Sequence, residues 1–90
     1  MKFDWDVDKA ISNLSKHGVS FDEAKTIFDD PLFVDFHDPD HSIDEYRYLI
    51  IGESARKRLL IVFYTERAEV MRLISAREVT PKERRFYEQF

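Results

Sequence analysis

The chain has 90 residues, 43% of them hydrophobic and 36% charged, with 8 Phe, 4 Tyr and 1 Trp. That length fits one domain, residues 1–90, and the aromatic content suffices to close a core, which argues against disorder. The net charge of -4 argues against a non-specific nucleic-acid coat, and with Cys 0 a disulfide scaffold, a thiolate–zinc site and a cysteine nucleophile are excluded. No apolar run approaches the roughly 20 residues of a membrane span. Met1–Asp6 carries no apolar signal region, so a cytoplasmic location is expected.

Phe3 and Trp5 alternate with Lys2, Asp4 and Asp6, which predicts a short first strand. Asp6 then caps a helix in which Ala10, Ile11 and Leu14 fall at helical spacing, with Lys16 and His17 at its negative end. Gly18 stands where a left-handed residue ends a helix. Ser20-Phe21-Asp22-Glu23 is a capping box for a second helix with Phe21, Ala24, Ile27 and Phe28 on one face, ended by Asp29-Asp30-Pro31. From there the period is two. Strands are expected at Leu32–His37, Arg47–Glu53, Leu59–Thr65 and Val70–Ala76, with turns at Asp38–Ser42, Ser54–Arg58 and Glu66–Glu69. Leu59–Thr65 is nearly all apolar and reads as the central strand, covered on both faces. Thr80-Pro81-Lys82-Glu83 caps a last helix, Pro81–Phe90, offering Phe86 and Phe90 to the sheet. The order β-α-α-β-β-β-β-α predicts an α+β fold, an antiparallel sheet packed with helices.

His37-Asp38-Pro39-Asp40-His41 holds two of the three histidines, but this is turn chemistry without a zinc spacing, so no metal is expected. Asp4, Asp6 and Asp8 lack the glycine and downstream Glu of a calcium loop. No G-x-S-x-G and no glycine-rich phosphate loop occurs. Arginine remains. Residues 1–45 hold 12 acidic residues against 4 Lys, and residues 46–90 hold 10 Lys and Arg against 6 Glu. Arg47, Arg56, Arg58, Arg67, Arg72 and Arg77 lie in or beside the predicted sheet, with Arg84 and Arg85 on the last helix. Guanidinium groups on one sheet face can grip phosphate and stabilise a phosphorane-like transition state. The competing reading is a set of solvated edges paired with glutamates.

Arg72 stands out because it interrupts the apolar run Val70–Ile74, and Arg77 because it sits at the strand exit. Strict alternation sends these two to opposite faces, so a shared site needs a bulge between them. Tyr46, Tyr48, Tyr64 and Tyr87 are candidates for stacking on unpaired bases. His17 can serve as acid or base, or can cap the carbonyls at its helix end.

Phe3–Asp6, Lys9, Asn13-Leu14 and Lys16-His17-Gly18-Val19-Ser20-Phe21-Asp22-Glu23-Ala24 resemble the opening of BrnT-type toxins, the ribonuclease halves of a bacterial type II toxin–antitoxin system. The likeness continues through Phe28–Pro31, Asp38–Ser42, Glu45, Arg47-Tyr48, Ile51-Gly52, Tyr64-Thr65-Glu66-Arg67, Arg72–Arg77, Glu83–Arg85 and Tyr87, over nearly the whole chain. Val7 departs from a proline common there, and Val79 and Pro81 from basic or small residues. The resemblance implies a RelE-like α+β fold and metal-independent endonucleolytic cleavage of RNA without a cofactor. It implies neutralisation by a BrnA-like antitoxin with a ribbon-helix-helix domain, operator DNA being reached only through that complex. Under this reading Arg67, Arg72 and Arg77 supply the cationic role, and His17, Lys16 and Glu66 are the proton handlers. Arg47, Arg58, Tyr64 and Arg84 are the expected substrate contacts. The alternative is a non-catalytic RNA- or partner-binding module of a repressor complex.

Overall fold

The computed structural model describes residues 1–38 and 46–89. Most of the turn expected at Asp38–Ser42, with His41, and the last aromatic, Phe90, lie outside the described residues. Strand β1 (Lys2–Trp5) leads into α1 (Val7–His17), and a short α2 (Phe21–Ala24) passes directly into a 3-10 turn, Lys25–Asp29. Strands β2 (Val34–His37), β3 (Arg47–Glu53), β4 (Leu59–Arg67) and β5 (Val70–Glu78) follow, then α3 (Pro81–Glu88). The five strands form one sheet in the order β1-β5-β4-β3-β2. β2 to β5 make the expected antiparallel meander, with β4 in the middle. β1 departs from it: it lies on β5 in parallel, so the sheet is mixed.

Local chemistry accounts for the element ends. The Asp6 side chain accepts from the Lys9 N–H, and Gly18 takes the left-handed conformation (φ 68) that closes α1. At α2 only half of the capping box forms. Ser20 Oγ accepts from the Glu23 N–H, but the Glu23 carboxylate turns away to bind Arg58 and Ser54. At α3 both halves form, between Thr80 and Glu83. β4 and β5 run to Arg67 and Glu78, longer than alternation alone suggested, because Ala68 and Glu69 (φ 49 and 69) make a two-residue hairpin turn of the kind that matches strand twist.

One face of the sheet carries the main core. Ile50, Leu60, Val62, Tyr64, Leu73 and Ala76 meet Val19, Phe21, Ala24 and Ile27, with Phe3, Trp5 and Phe28 packed around them. Gly52 belongs here: a Cβ on it would lie 3.0 Å from the Ile27 carbonyl oxygen, so the 3-10 turn rests directly on β3. On the second face Ile51, Leu59 and Ile61 form a smaller cluster with Val34, Leu49, Phe63, Val79 and Tyr87. Tyr87 of α3, rather than Phe86, makes the anchor. Its hydroxyl donates to Asp30 (2.7 Å), which also accepts from the Glu53 and Leu32 N–H groups. Phe86 stays half-exposed, edge-on to Phe36. α1 departs from its predicted orientation. Ile11 and Leu14 are 64% and 52% exposed, while Asn13 is buried at 5%.

Candidate active site

The register of β5 against β4 decides where the arginines go. Phe63 pairs with Ser75 but Tyr64 pairs with Leu73, so Ile74 is an extra residue on β5, a β-bulge. The required irregularity is therefore present between Arg72 and Arg77. Arg77 pairs across with Ile61 and Arg72 with Thr65, and both partners belong to the second face. Arg47 on β3 faces Thr65, and Arg67 follows two residues later on β4. Alternation thus puts Arg47, Arg67, Arg72 and Arg77 on one side of the sheet, with Arg77 against α3. Arg47 also lies over the Phe63 ring, its guanidinium carbon 6.0 Å from the centroid.

Arg77 and Arg72 both meet carboxylates. Arg77 holds Glu83 bidentately (2.8 and 2.9 Å), which keeps the Glu83 carboxyl below its ordinary range and raises Arg77. Arg72 makes a looser contact, 3.2 Å from Asp4 on β1, with both side chains well exposed. Thr65, between Arg47 and Arg72 in register, is buried, and its hydroxyl has no hydrogen-bond partner among the described residues.

Beside this face, α1 and β5 enclose a cleft of about 230 Å³ lined by Lys9, Ser12, Asn13, Lys16, His17, Ile74 and Ser75. Lys9, Ser12, Lys16 and His17 share it because helical spacing puts them on one side of α1. The bulge puts Ile74 and Ser75 on its other wall. Ser75 therefore stands in the cleft and, by register, between Arg72 and Arg77 on the arginine face. Ser75 is thus common to the cleft lining and the arginine face, while none of the four arginines lines the cleft.

The remaining expected site residues go elsewhere. Tyr64, 5% exposed, is a core residue, stacked on Tyr48 and edge-on to Phe28. Burial, then the charges of Asp35 and Glu66, push its hydroxyl up to about 12. Glu66 pairs with Met71 and lies on that same helix-bearing face, opposite the arginines. Arg58 is a structural clamp. It donates through Nε (2.9 Å) and Nη2 to Glu23 and through Nη2 to the Gly18 carbonyl (3.1 Å). The Arg58 hydrogen bonds lower Glu23 against the cost of its burial, with Ser54 adding a further bond. Arg84 is exposed on α3. Tyr46 is exposed beside His37, 4.9 Å between centroids. Among the described residues no three of His, Cys, Asp and Glu are grouped to hold a metal ion.

The family model described as "Ribonuclease toxin, BrnT, of type II toxin-antitoxin system" matches residues 5–83. The chain belongs to this family. It is also similar in structure to the ribonuclease toxin BrnT of Brucella abortus, solved at 1.1 Å. The TM-score is 0.65 at 25% sequence identity, over 89% of this chain and 97% of that one. Comparison with curated proteins finds no match. The expected BrnT family and RelE-like α+β fold are both borne out, with the mixed sheet as the refinement. Membership in a type II toxin family implies an antitoxin partner. No helix among the described residues is long and apolar enough to cross a membrane.

Proposed function

We infer that this chain is a metal-independent endoribonuclease whose site spans the α1–β5 cleft and the arginine face. One observation carries the reading: the bulge at Ile74, which brings Arg72 and Arg77 to one side and joins that side to Lys16 and His17 through Ser75. An RNA backbone lying across the second face meets Arg47, Arg67 and Arg72, with Arg84 available at its margin. A phosphate engages Arg72 more readily than Arg77, because the Arg72 contact to Asp4 is exposed, whereas Arg77 is held on two oxygens by Glu83.

Cleavage then follows from charge and position. The 2′-oxygen attacks phosphorus as its proton passes to a base. Arg72, Arg77 and Arg67 stabilise the added negative charge. The P–O5′ bond breaks and the leaving 5′-oxygen takes a proton from an acid. His17 and Lys16, side by side in the cleft, are the groups for these two transfers. Glu66, Tyr64 and Arg58 take no part, since their placement serves the opposite face, the core and the α2 clamp. The products are a 2′,3′-cyclic phosphate and a free 5′-hydroxyl. The antitoxin is a BrnA-like protein with a ribbon-helix-helix domain, whose acidic or amphipathic segment covers the arginines; opposite charge speeds that capture.

The carboxylates on Arg72 and Arg77 favour a second reading, a non-catalytic module that grips RNA or a partner peptide. Purified protein incubated with total RNA separates the two. The nuclease gives discrete fragments with cyclic phosphate ends, unaffected by excess chelator. Retention of intact RNA supports the second reading, and 5′-phosphate ends or chelator sensitivity overturn the mechanism. Induction with and without the neighbouring reading frame tests the antitoxin: growth arrest is expected only in its absence.

A further inference from the structure

We propose that Asn13 is the positioning residue of the site, fixing the distance between the Lys16–His17 end of α1 and the Ser75–Arg77 stretch of β5. This rests on the nuclease reading above. β1 accompanies β5 only from Val70 to Leu73. Beyond that point β5 has no strand on that side among the described residues, and the bulge falls there. The Asn13 amide takes the missing strand's place. Its Nδ2 donates to the Ala76 carbonyl (2.8 Å) and its Oδ1 accepts from the Ala76 N–H (3.0 Å), the two-bond pattern of a strand neighbour. The second Nδ2 hydrogen goes to the Val19 carbonyl (2.9 Å), two residues past His17.

Both amide donors are thereby used. One side chain ties the helix, the turn after His17 and the residue between Ser75 and Arg77 into a single rigid junction. It also stands in the cleft itself, with Lys9, Lys16 and His17 around it. This polar side chain is buried on a helix whose Ile11 and Leu14 face water, so the junction orients α1 together with Ala10, which packs on the core. Asn13 touches neither phosphate nor a proton in transfer. It acts by holding the groups that do.

A purely structural role predicts loss of folded protein and nothing more. The test compares steady-state cleavage of one defined RNA by the wild type, Asn13→Gln, Asn13→Ala and Ile27→Val. Asn13→Gln keeps the amide but adds a methylene, so the Ala76 and Val19 bonds cannot all be made at once. Ile27→Val thins the core with no contact to the cleft and serves as the control for lost stability. The expected result, with rates normalised to folded protein, is a fall in kcat of about tenfold or more for Asn13→Gln, with KM within about threefold of wild type. Ile27→Val should leave both near wild type. A kcat for Asn13→Gln equal to that of Ile27→Val overturns the proposal. If the wild type cleaves nothing, the nuclease reading fails by itself, and the junction is judged by amide NMR spectra. Asn13→Gln, or Asn13→Ala if only that variant folds, must then shift the Lys16–Gly18 and Ser75–Arg77 resonances together. A shift confined to one of those segments overturns it.

Discussion

The two faces of the sheet share strands but obey different rules. The face under α1, α2 and the 3-10 turn is closed by apolar side chains, and Tyr64 there is wedged between the Tyr48 and Phe28 rings with its hydroxyl pushed up to about 12. The opposite face bears α3, whose Tyr87 packs on Ile51, Leu59 and Ile61 and whose Glu83 holds Arg77, and it carries four arginines at register positions. Apolar burial sets stability on the first, where every side chain lost leaves a cavity. The second spends its positions on cations, which stabilise little when exposed. With the proposed site on the second face, the difference predicts that stability and activity are separable almost residue by residue, since successive residues of β4 belong to different faces.

The sharpest way to break that comparison is one substitution per face. Leu60→Ala, on the closed face and fully buried, is expected to cost about 3 kcal/mol or more. The urea midpoint falls with an unchanged slope, while the cleavage rate per folded molecule stays near wild type. Arg72→Ala on the open face does the reverse. Its contact to Asp4 is exposed, so stability changes by less than about 1 kcal/mol. RNA cleavage falls about 100-fold, equivalent to about 2.7 kcal/mol of barrier. Equal loss of stability in both variants would erase the distinction.

What the sequence made legible follows the same division. Element ends were readable because caps, Gly18 and Pro31 act through neighbours a few residues away. The core was readable because Phe21, Ala24, Ile27 and Phe28 repeat at helical spacing and the unbroken apolar run Leu59–Tyr64 marks a strand covered on both faces. The bulge was not: Val70–Glu78 holds no glycine or proline to mark Ile74, so alternation alone separates Arg72 from Arg77, and only pairing with β4 reunites them. Nor was the inner side of α1. Ile11 and Leu14 look like its buried residues, and Asn13, which is buried, bonds to Ala76, 63 positions away. The arginines look alike in sequence, yet Arg58 serves Glu23 and Gly18 whereas Arg72 faces the open side. The family resemblance marked a stretch of chain without saying which arginine does which work.

Acid should weaken both faces through a common device. Glu23, Asp30 and Glu83 all have folded-state pKa values below their ordinary ones. Arg58 lowers Glu23 and Arg77 lowers Glu83. At Asp30 burial opposes the charge, but the Glu53 and Leu32 N–H groups and the Tyr87 hydroxyl outweigh it. A depressed carboxyl contributes stability that is complete above its unfolded value, near 4 to 4.5, and is lost as pH falls through the folded value. Urea midpoints are therefore expected to be level from pH 6 to 5 and to drop between pH 4.5 and 3. Glu83→Gln should remove part of that drop. A flat profile down to pH 3 would show that these carboxylates are not held by their partners.

The smallest effect sharpens the comparison at the junction between the regions. Gly52 and Gly18 are the two glycines, and alanine at each asks a different question. At Gly52 the added Cβ meets the Ile27 carbonyl at 3.0 Å and its Cβ at 3.2 Å, so the 3-10 turn must give by a few tenths of an ångström against β3. At Gly18 nothing lies within 4 Å, and the penalty is only that of placing an L-residue at φ 68, about 1 kcal/mol. The turn that follows Lys16 and His17 is also tethered through the Gly18 carbonyl to Arg58 and the Val19 carbonyl to Asn13. Gly18→Ala should therefore cost about 1 kcal/mol in urea denaturation and leave cleavage within a fewfold of wild type, because the tethers hold the backbone against the strain. A larger loss of cleavage than of stability would mean that the turn itself, rather than the side chains it anchors, sets the geometry of the cleft.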